Sequence, residues 1–136
     1  MLGMRYNMTK SKLGFIAVLA TLLLTAGLVG ARGRQIGQLS RFRITPAFAG
    51  TSYLQKMNSS YYVVNLDSKS PQIRVKHYLA NSNGARRSDV DLTWTGQRGV
   101  YTNNAQAGYI YNLNLARENF WDGSFFIDGS WSPDSH

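Results

Sequence analysis

The sequence contains no cysteine, only three prolines, and only seven acidic residues against fifteen basic ones. Without cysteine, the chain cannot form a disulfide scaffold, a thiolate zinc site, a cysteine nucleophile or a lipid attachment at a signal cleavage site. A length of 136 residues leaves room for one compact domain and excludes a multidomain enzyme. Stability must therefore come from packing within that single domain.

The formal net charge of +8 is concentrated near the amino end. Residues 1–31 carry +3, residues 32–43 carry +4, and residues 44–136 carry only +1. A domain that binds nucleic acid through its body would spread lysine and arginine over one face, with aromatic rings between them. The distribution of charge therefore argues against nucleic acid as a partner.

Residues 1–31 have the pattern of a secretory signal peptide. Three basic residues precede the uncharged run LGFIAVLATLLLTAGLV at 13–29, and small residues then suit cleavage after Ala31. The alternative is an uncleaved transmembrane anchor over residues 13–31, since this stretch reaches the minimum length for crossing a bilayer. Four arginines follow this run closely. They argue against export, because positively charged residues next to an apolar segment tend to stay in the cytoplasm. We predict a secreted or cell-surface protein, with membrane anchoring as the alternative.

Residues 39–136 alternate apolar and polar side chains with a period of two, which is typical of half-buried β-strands. About seven short strands, separated by Gly, Asn and Ser turns, predict an all-β fold. We expect an antiparallel β-sandwich after an N-terminal hydrophobic helix, with a small β-barrel as the alternative. The predicted organisation is a leader at 1–31, a basic arm at 32–38 and the β-sandwich domain at 39–136.

Two neighbouring strands show the alternation most clearly. In the first, the predicted core face consists of Ile73, Val75, His77 and Leu79. In the second, the predicted core face is Val90, Leu92 and Trp94, and the predicted solvent face is Asp89, Asp91, Thr93 and Thr95. Basic Arg74 and Lys76 could then form cross-strand ion pairs with Asp89 and Asp91.

The carboxyl end resembles that of a family of small secreted Gram-positive bacterial proteins of unknown function. The residues that carry the resemblance are Tyr111-Asn112-Leu113, Arg117-Glu118-Asn119 and the run Phe126 to Asp134, which contains Gly129-Ser130-Trp131. Two earlier motifs fit the same pattern, Phe42-Arg43-Ile44 and Val64-Asn65-Leu66. The resemblance implies a signal peptide, export and a β-rich fold closed by a Gly-x-Trp strand. It implies no activity and no catalytic residues.

The sequence offers little for catalysis. A hydrolytic triad needs a positioned histidine beside a nucleophile and an acid, and His77 is the only candidate base. No nucleophile motif accompanies it. Glu118 and Asp122 could form the carboxylate pair of a small glycan hydrolase, which we keep as an alternative. We predict that the protein is not an enzyme and has no catalytic residue, metal site or cofactor.

Several side chains lack a core explanation and are therefore candidate binding residues: Arg32, Arg34, Tyr78, Trp121 and Asp122. Arginines of the arm could hold the protein to anionic lipid or cell-wall polymers, and exposed aromatic rings could contact a glycan. We predict a non-catalytic binding or cell-surface component, whose partner is an anionic cell-wall polymer, a lipid surface or a glycan. A secreted antibacterial, bacteriocin-like polypeptide is a further alternative.

Overall fold

The structure, a computed structural model, describes residues 33–69 and 72–136. Within these residues the chain forms nine strands, which are β1 (Gly37–Ile44), β2 (Ala49–Gly50), β3 (Leu54–Gln55), β4 (Tyr62–Leu66), β5 (Arg74–Asn81), β6 (Asp91–Trp94), β7 (Arg98–Tyr101), β8 (Ile110–Arg117) and β9 (Phe125–Ser132). A 3₁₀ helix, Phe120–Asp122, connects β8 to β9. The predicted leader, its hydrophobic helix and Arg32 lie outside the described residues.

The strands form two antiparallel sheets. The first has the order β1-β9-β4-β7, and the second has the order β2-β8-β5-β6, with β3 also paired to β8. The predicted antiparallel β-sandwich is therefore confirmed. The small-barrel alternative is wrong, because the two sheets formed by the described strands do not close into one.

The core lies between the two sheets and follows the predicted alternation in most strands. On β5, Val75, His77 and Leu79 are fully buried. Three alternate residues of β8 face them from the neighbouring strand, namely Tyr111, Leu113 and Leu115. The first sheet contributes Leu39, Ile44, Tyr62, Val64, Leu66, Ile127 and Trp131. Packing of these side chains holds the two sheets together without a disulfide.

The two ends of the sandwich carry different elements. At one end Gly37 faces Trp131 and Asn81 faces Tyr111, and the chain termini of the domain lie here. We call this the terminal end. At the other end Ile44 faces Phe125 and Val75 faces Arg117, and the 3₁₀ helix follows directly. We call this the helix end.

Strand β6 has the opposite orientation to the one predicted. Thr93 and Thr95 are buried, with 2% and 1% exposure, whereas Leu92 and Trp94 are exposed. The two threonines find hydrogen-bond partners inside: Thr95 Oγ1 accepts from the Ile73 N–H at 3.1 Å, and Thr93 Oγ1 lies 2.8 Å from His77 Nε2. Because these partners satisfy the hydroxyls, burying them costs little.

The predicted cross-strand ion pairs do not form. The register places Arg74 opposite Trp94 and Lys76 opposite Leu92. Arg74 instead pairs with Glu118 on the other side, through two hydrogen bonds of 2.8 and 2.5 Å, and its guanidinium lies 5.2 Å from the Trp94 ring. Asp91 turns toward the sandwich interior because β6 presents its polar face there.

A buried ion pair fixes the carboxyl end to the body of the domain. Lys56 and Asp134 are both fully buried, with Nζ and Oδ1 2.9 Å apart. Lys56 Nζ also donates to the carbonyls of Ser60 and Pro133, each at 2.6 Å. Asp134 Oδ2 accepts from the Met57 N–H at 2.6 Å. Every polar group of the pair thus has a partner, which burial of two charges requires.

The backbone conformation at position 129 requires glycine. This position lies on β9, next to the β-bulge in the pairing of β1 with β9. Its φ is 154°, and a Cβ there would collide with the Asn65 carbonyl oxygen. We expect Gly129→Ala to lower the free energy of unfolding by about 2–3 kcal/mol, through backbone strain and overpacking. The control is Gly84→Ala, since Gly84 also has a positive φ but has nothing within 4 Å of an added Cβ. Equal losses in denaturant titrations of the two variants would contradict the proposed collision.

Candidate functional site

A polar cleft opens at the terminal end, between the β5–β6 and β7–β8 connections. Its volume is about 380 Å³, and its lining includes Asn81, Ser82, Asn83, Arg87, Asn104, Gln106, Tyr109 and Tyr111. A second cleft of about 330 Å³ adjoins it and shares Arg87 and Asn104 with it. The second cleft adds Arg86, Ser88 and Asp89. Together they form a groove lined by amides, hydroxyls and guanidinium groups.

The backbone under this groove is fixed by hydrogen bonds. The Arg87 N–H donates to the Leu79 carbonyl at 2.7 Å, and the Arg87 carbonyl accepts from the Asn104 N–H at 2.8 Å. The Asn81 side-chain oxygen accepts from the N–H groups of Asn83 and Ala85, each at 2.9 Å. These bonds close a tight turn and tie it to the β7–β8 connection. The lining side chains therefore project from a preorganised frame.

The lining residues suit a ligand rich in hydroxyl groups. Amide and guanidinium groups are planar and offer adjacent donors and acceptors. The Tyr109 ring lies at the rim and is 62% exposed, which leaves a flat apolar surface open to a ligand. A concave site with one aromatic wall and several converging polar groups is a common arrangement for small polar ligands.

A chain of hydrogen bonds crosses the sandwich interior. The Tyr62 hydroxyl donates to Asp91 Oδ2 at 2.9 Å and lies 3.0 Å from His77 Nδ1. His77 Nε2 lies 2.8 Å from Thr93 Oγ1, which is also hydrogen-bonded to the Tyr101 hydroxyl. Since Tyr62 donates its proton to Asp91, Nδ1 of His77 must donate to Tyr62, which leaves Nε2 of the neutral ring as the unprotonated nitrogen that faces Thr93.

Burial sets the protonation states in this chain. It lowers the pKa of His77 to about 3, and it raises the pKa of Tyr62 well above its usual value. Burial also raises the pKa values of Asp91 and Tyr101. The imidazole is therefore neutral at physiological pH. Although Thr93 and His77 are positioned like a nucleophile and a base, both are buried, so a substrate has no access to them.

The predicted binding residues lie at separate places. Arg34 donates to the main-chain carbonyls of Ser135 and Asp134, at 3.0 and 3.4 Å, at the terminal end. Tyr78 lies on the outer face of the second sheet, against Phe48. Trp121 is exposed on the 3₁₀ helix at the helix end, and Asp122 accepts from the Asn119 N–H at 3.2 Å.

The two carboxylates of the hydrolase alternative have other partners. Glu118 is held by both guanidinium hydrogen bonds from Arg74, and this interaction lowers the pKa of the Glu118 carboxyl. A general acid in a glycosidase needs a raised pKa instead. Asp122 is engaged in the local hydrogen bond that caps the 3₁₀ helix.

Residues 33–69 and 72–136 contain no group of three or more His, Cys, Asp or Glu side chains that could hold a metal ion. In the same part of the chain, no helix has the length and apolar character needed to cross a membrane.

Sequence reasoning missed the cleft and the interior hydrogen-bond chain. The signal for the cleft was available in the polar clusters Asn81-Ser82-Asn83 and Asn103-Asn104, which a sequence analysis treats as turns. The signal for the interior chain was weaker. His77 alternates with core residues on β5, but only the pairing of β5 with β6 shows that Thr93 lies beside it. Comparison with known proteins finds no matching family model, curated protein or solved structure.

Proposed function

We propose that this protein is a non-catalytic binding module that recognises a glycan at the bacterial cell surface through the polar cleft. The observation that carries this proposal is the convergence of Asn81, Arg87, Asn104 and Gln106 beside the exposed Tyr109 ring. Such planar polar groups can bind pairs of neighbouring sugar hydroxyls, and the ring can pack on an apolar sugar face.

Binding without catalysis is supported by the state of the titratable groups. His77 is buried and neutral, and Glu118 is held ionised by Arg74. Neither group is placed to exchange a proton with a ligand in the cleft. A secreted location is part of this proposal and is supported by the signal-peptide pattern at 1–31 and by the resemblance to small exported Gram-positive proteins.

Calorimetry with the purified protein and N-acetylglucosamine oligomers, as fragments of a wall glycan, tests the proposal. We expect Tyr109→Ala and Asn104→Ala each to weaken binding about tenfold, which corresponds to about 1.4 kcal/mol. Tyr53→Ala is the matched control, because Tyr53 is an exposed tyrosine outside the cleft lining. If the oligomers fail to bind, or if Tyr53→Ala weakens binding as much as Tyr109→Ala, the cleft is not a glycan site.

A further inference from the structure

The outer face of the second sheet carries two neighbouring aromatic rings, each with a cation over it. The Arg86 guanidinium lies 5.8 Å from the Tyr78 ring centre, and the Lys76 ammonium lies 5.3 Å from the Phe48 ring centre. The two rings pack edge to face, 4.8 Å apart. We call Lys76, Phe48, Tyr78 and Arg86 the cationic track. Each cation is held over a ring, so it is positioned before any ligand arrives.

The sheet register sets the spacing along the track. Lys76 and Tyr78 occupy successive outward positions of β5, and Arg86 is bridged to Ala80, two residues further along the strand. At about 3.3 Å per residue, the backbone positions of Lys76 and Arg86 are therefore about 13 Å apart along the strand direction. On the adjacent strand Asn114 pairs with Tyr78 and Asn112 pairs with Ala80. Amide groups therefore lie beside the space between the two charges. The Asn114 amide donates to Asn112 Oδ1 at 3.1 Å, and the Asn112 amide donates to the Thr51 carbonyl at 3.3 Å, which leaves one N–H of each amide for a ligand.

No acidic side chain of the described residues forms an ion pair with a cation of the track. Among the described residues, the ion pairs are Lys56 with Asp134, Lys69 with Asp128, and Arg74 with Glu118. Neither Lys76 nor Arg86 belongs to one of these pairs, although Lys76 lies close enough to Glu118 to help Arg74 lower the pKa of its carboxyl. Asp89 lines the same adjoining cleft as Arg86 without reaching ion-pair distance. The face is thus complementary to an anionic ligand.

The rings indicate which polyanion fits. Each ring of the track already contacts a cation, and the Phe48 and Tyr78 rings also contact each other, so a nucleic-acid base could not stack on them without displacing these contacts. A lysine ammonium is a point charge that suits a phosphate oxygen, and the planar guanidinium of Arg86 can bind two phosphate oxygens at once. Neutral amides between the charges suit hydroxyl groups between the phosphates.

We propose that the cationic track binds a linear polyol-phosphate polymer, in which single phosphodiesters alternate with hydroxyl-bearing units. This surface shares Arg86 with the second cleft, and none of its residues line the first cleft, where Tyr109 lies. The phosphates contact Lys76 and Arg86, and Asn112 and Asn114 bind the intervening hydroxyls. The inference does not depend on glycan binding in the cleft.

Titration of the purified protein with a synthetic glycerol-phosphate oligomer, at several salt concentrations, tests this proposal. We expect the double variant Lys76→Gln/Arg86→Gln to weaken binding at least tenfold at low salt and to flatten the salt dependence, because two charge contacts are lost. The control double variant, Lys69→Gln/Arg98→Gln, removes two exposed cations from outside the track. Unchanged binding in the track variant, or an equal loss in the control, would overturn the proposal.

Three further arms separate this surface from its alternatives. Phe48→Ala removes the support under Lys76 and should weaken binding, and Phe48→Tyr should restore it. Tyr109→Ala should leave the glycerol-phosphate affinity unchanged, so failure of the cleft and failure of the track are distinguishable. A single-stranded oligonucleotide or a polygalacturonate of equal charge that binds as tightly as the polyol phosphate would contradict the assignment.

Discussion

Asp134→Ala is expected to lower the free energy of unfolding by about 3–5 kcal/mol, because it leaves the Lys56 ammonium buried without its counter-charge. The variant also removes the acceptor for the Met57 N–H. A small domain has a total stability of about 5–15 kcal/mol, so the loss approaches global unfolding. Urea or thermal denaturation of the purified variant measures it.

The same ion pair gives an internal comparison. Replacing both partners, in Lys56→Met/Asp134→Ala, removes both charges and should recover part of the stability lost in Asp134→Ala. Lys69→Ala is the surface control, because Lys69 and Asp128 are 3.7 Å apart and both partly exposed, so its cost should stay below about 1 kcal/mol. If Asp134→Ala loses no more unfolding free energy than Lys69→Ala, the buried ion pair does not anchor the carboxyl end.

Acid is expected to destabilise the domain through His77. Its pKa is about 3 in the folded protein, against about 6.5 for an unperturbed histidine. As the pH falls below about 6.5, the unfolded chain takes up a proton that the folded protein refuses, so unfolding becomes easier until the pH approaches 3. Between pH 7 and 4.5 this single group should remove about 2–3 kcal/mol of stability.

The His77→Gln variant isolates that contribution. Its loss of stability between pH 7 and 4.5 should be smaller than that of the wild type by about 2–3 kcal/mol. The comparison is needed because the raised pKa of Asp91 acts in the opposite direction as the pH falls. His136→Gln is the control, since His136 is exposed at the carboxyl end, and it should keep the wild-type pH dependence. A folded-state His77 pKa near 6.5, measured by NMR, would contradict the account.

The fold was largely predictable from the sequence because the alternation on β5, β8 and β9 is strong and unambiguous. On β5, His77 shares the face of Val75 and Leu79, as expected. Strand β6 was not predictable by this argument. Residues 89–95 contain three apolar side chains on one face and four polar ones on the other, and the buried partners that favour the polar face come from outside this segment. A local pattern cannot contain that information.

The proposed binding surfaces were predictable only in part. Tyr78 was a candidate binding residue, and the structure adds Phe48 and Arg86 around its ring. These residues are distant in sequence, so only the sheet brings them together. The cleft likewise joins segments near residues 81–87 and 104–111. The small net charge of residues 44–136 also hid the placement of the charges, because a net charge does not show that Lys76 and Arg86 lie on the same face of the sheet.

The most direct test of the cleft as a glycan site is an amide NMR titration of the isotope-labelled protein with N-acetylglucosamine oligomers. The account predicts saturable shifts clustered at residues 81–87 and 104–109, and no cleavage of the oligomer during the titration. Shifts confined to the helix end at residues 118–122, or hydrolysis of the oligomer that Glu118→Gln abolishes, would contradict it.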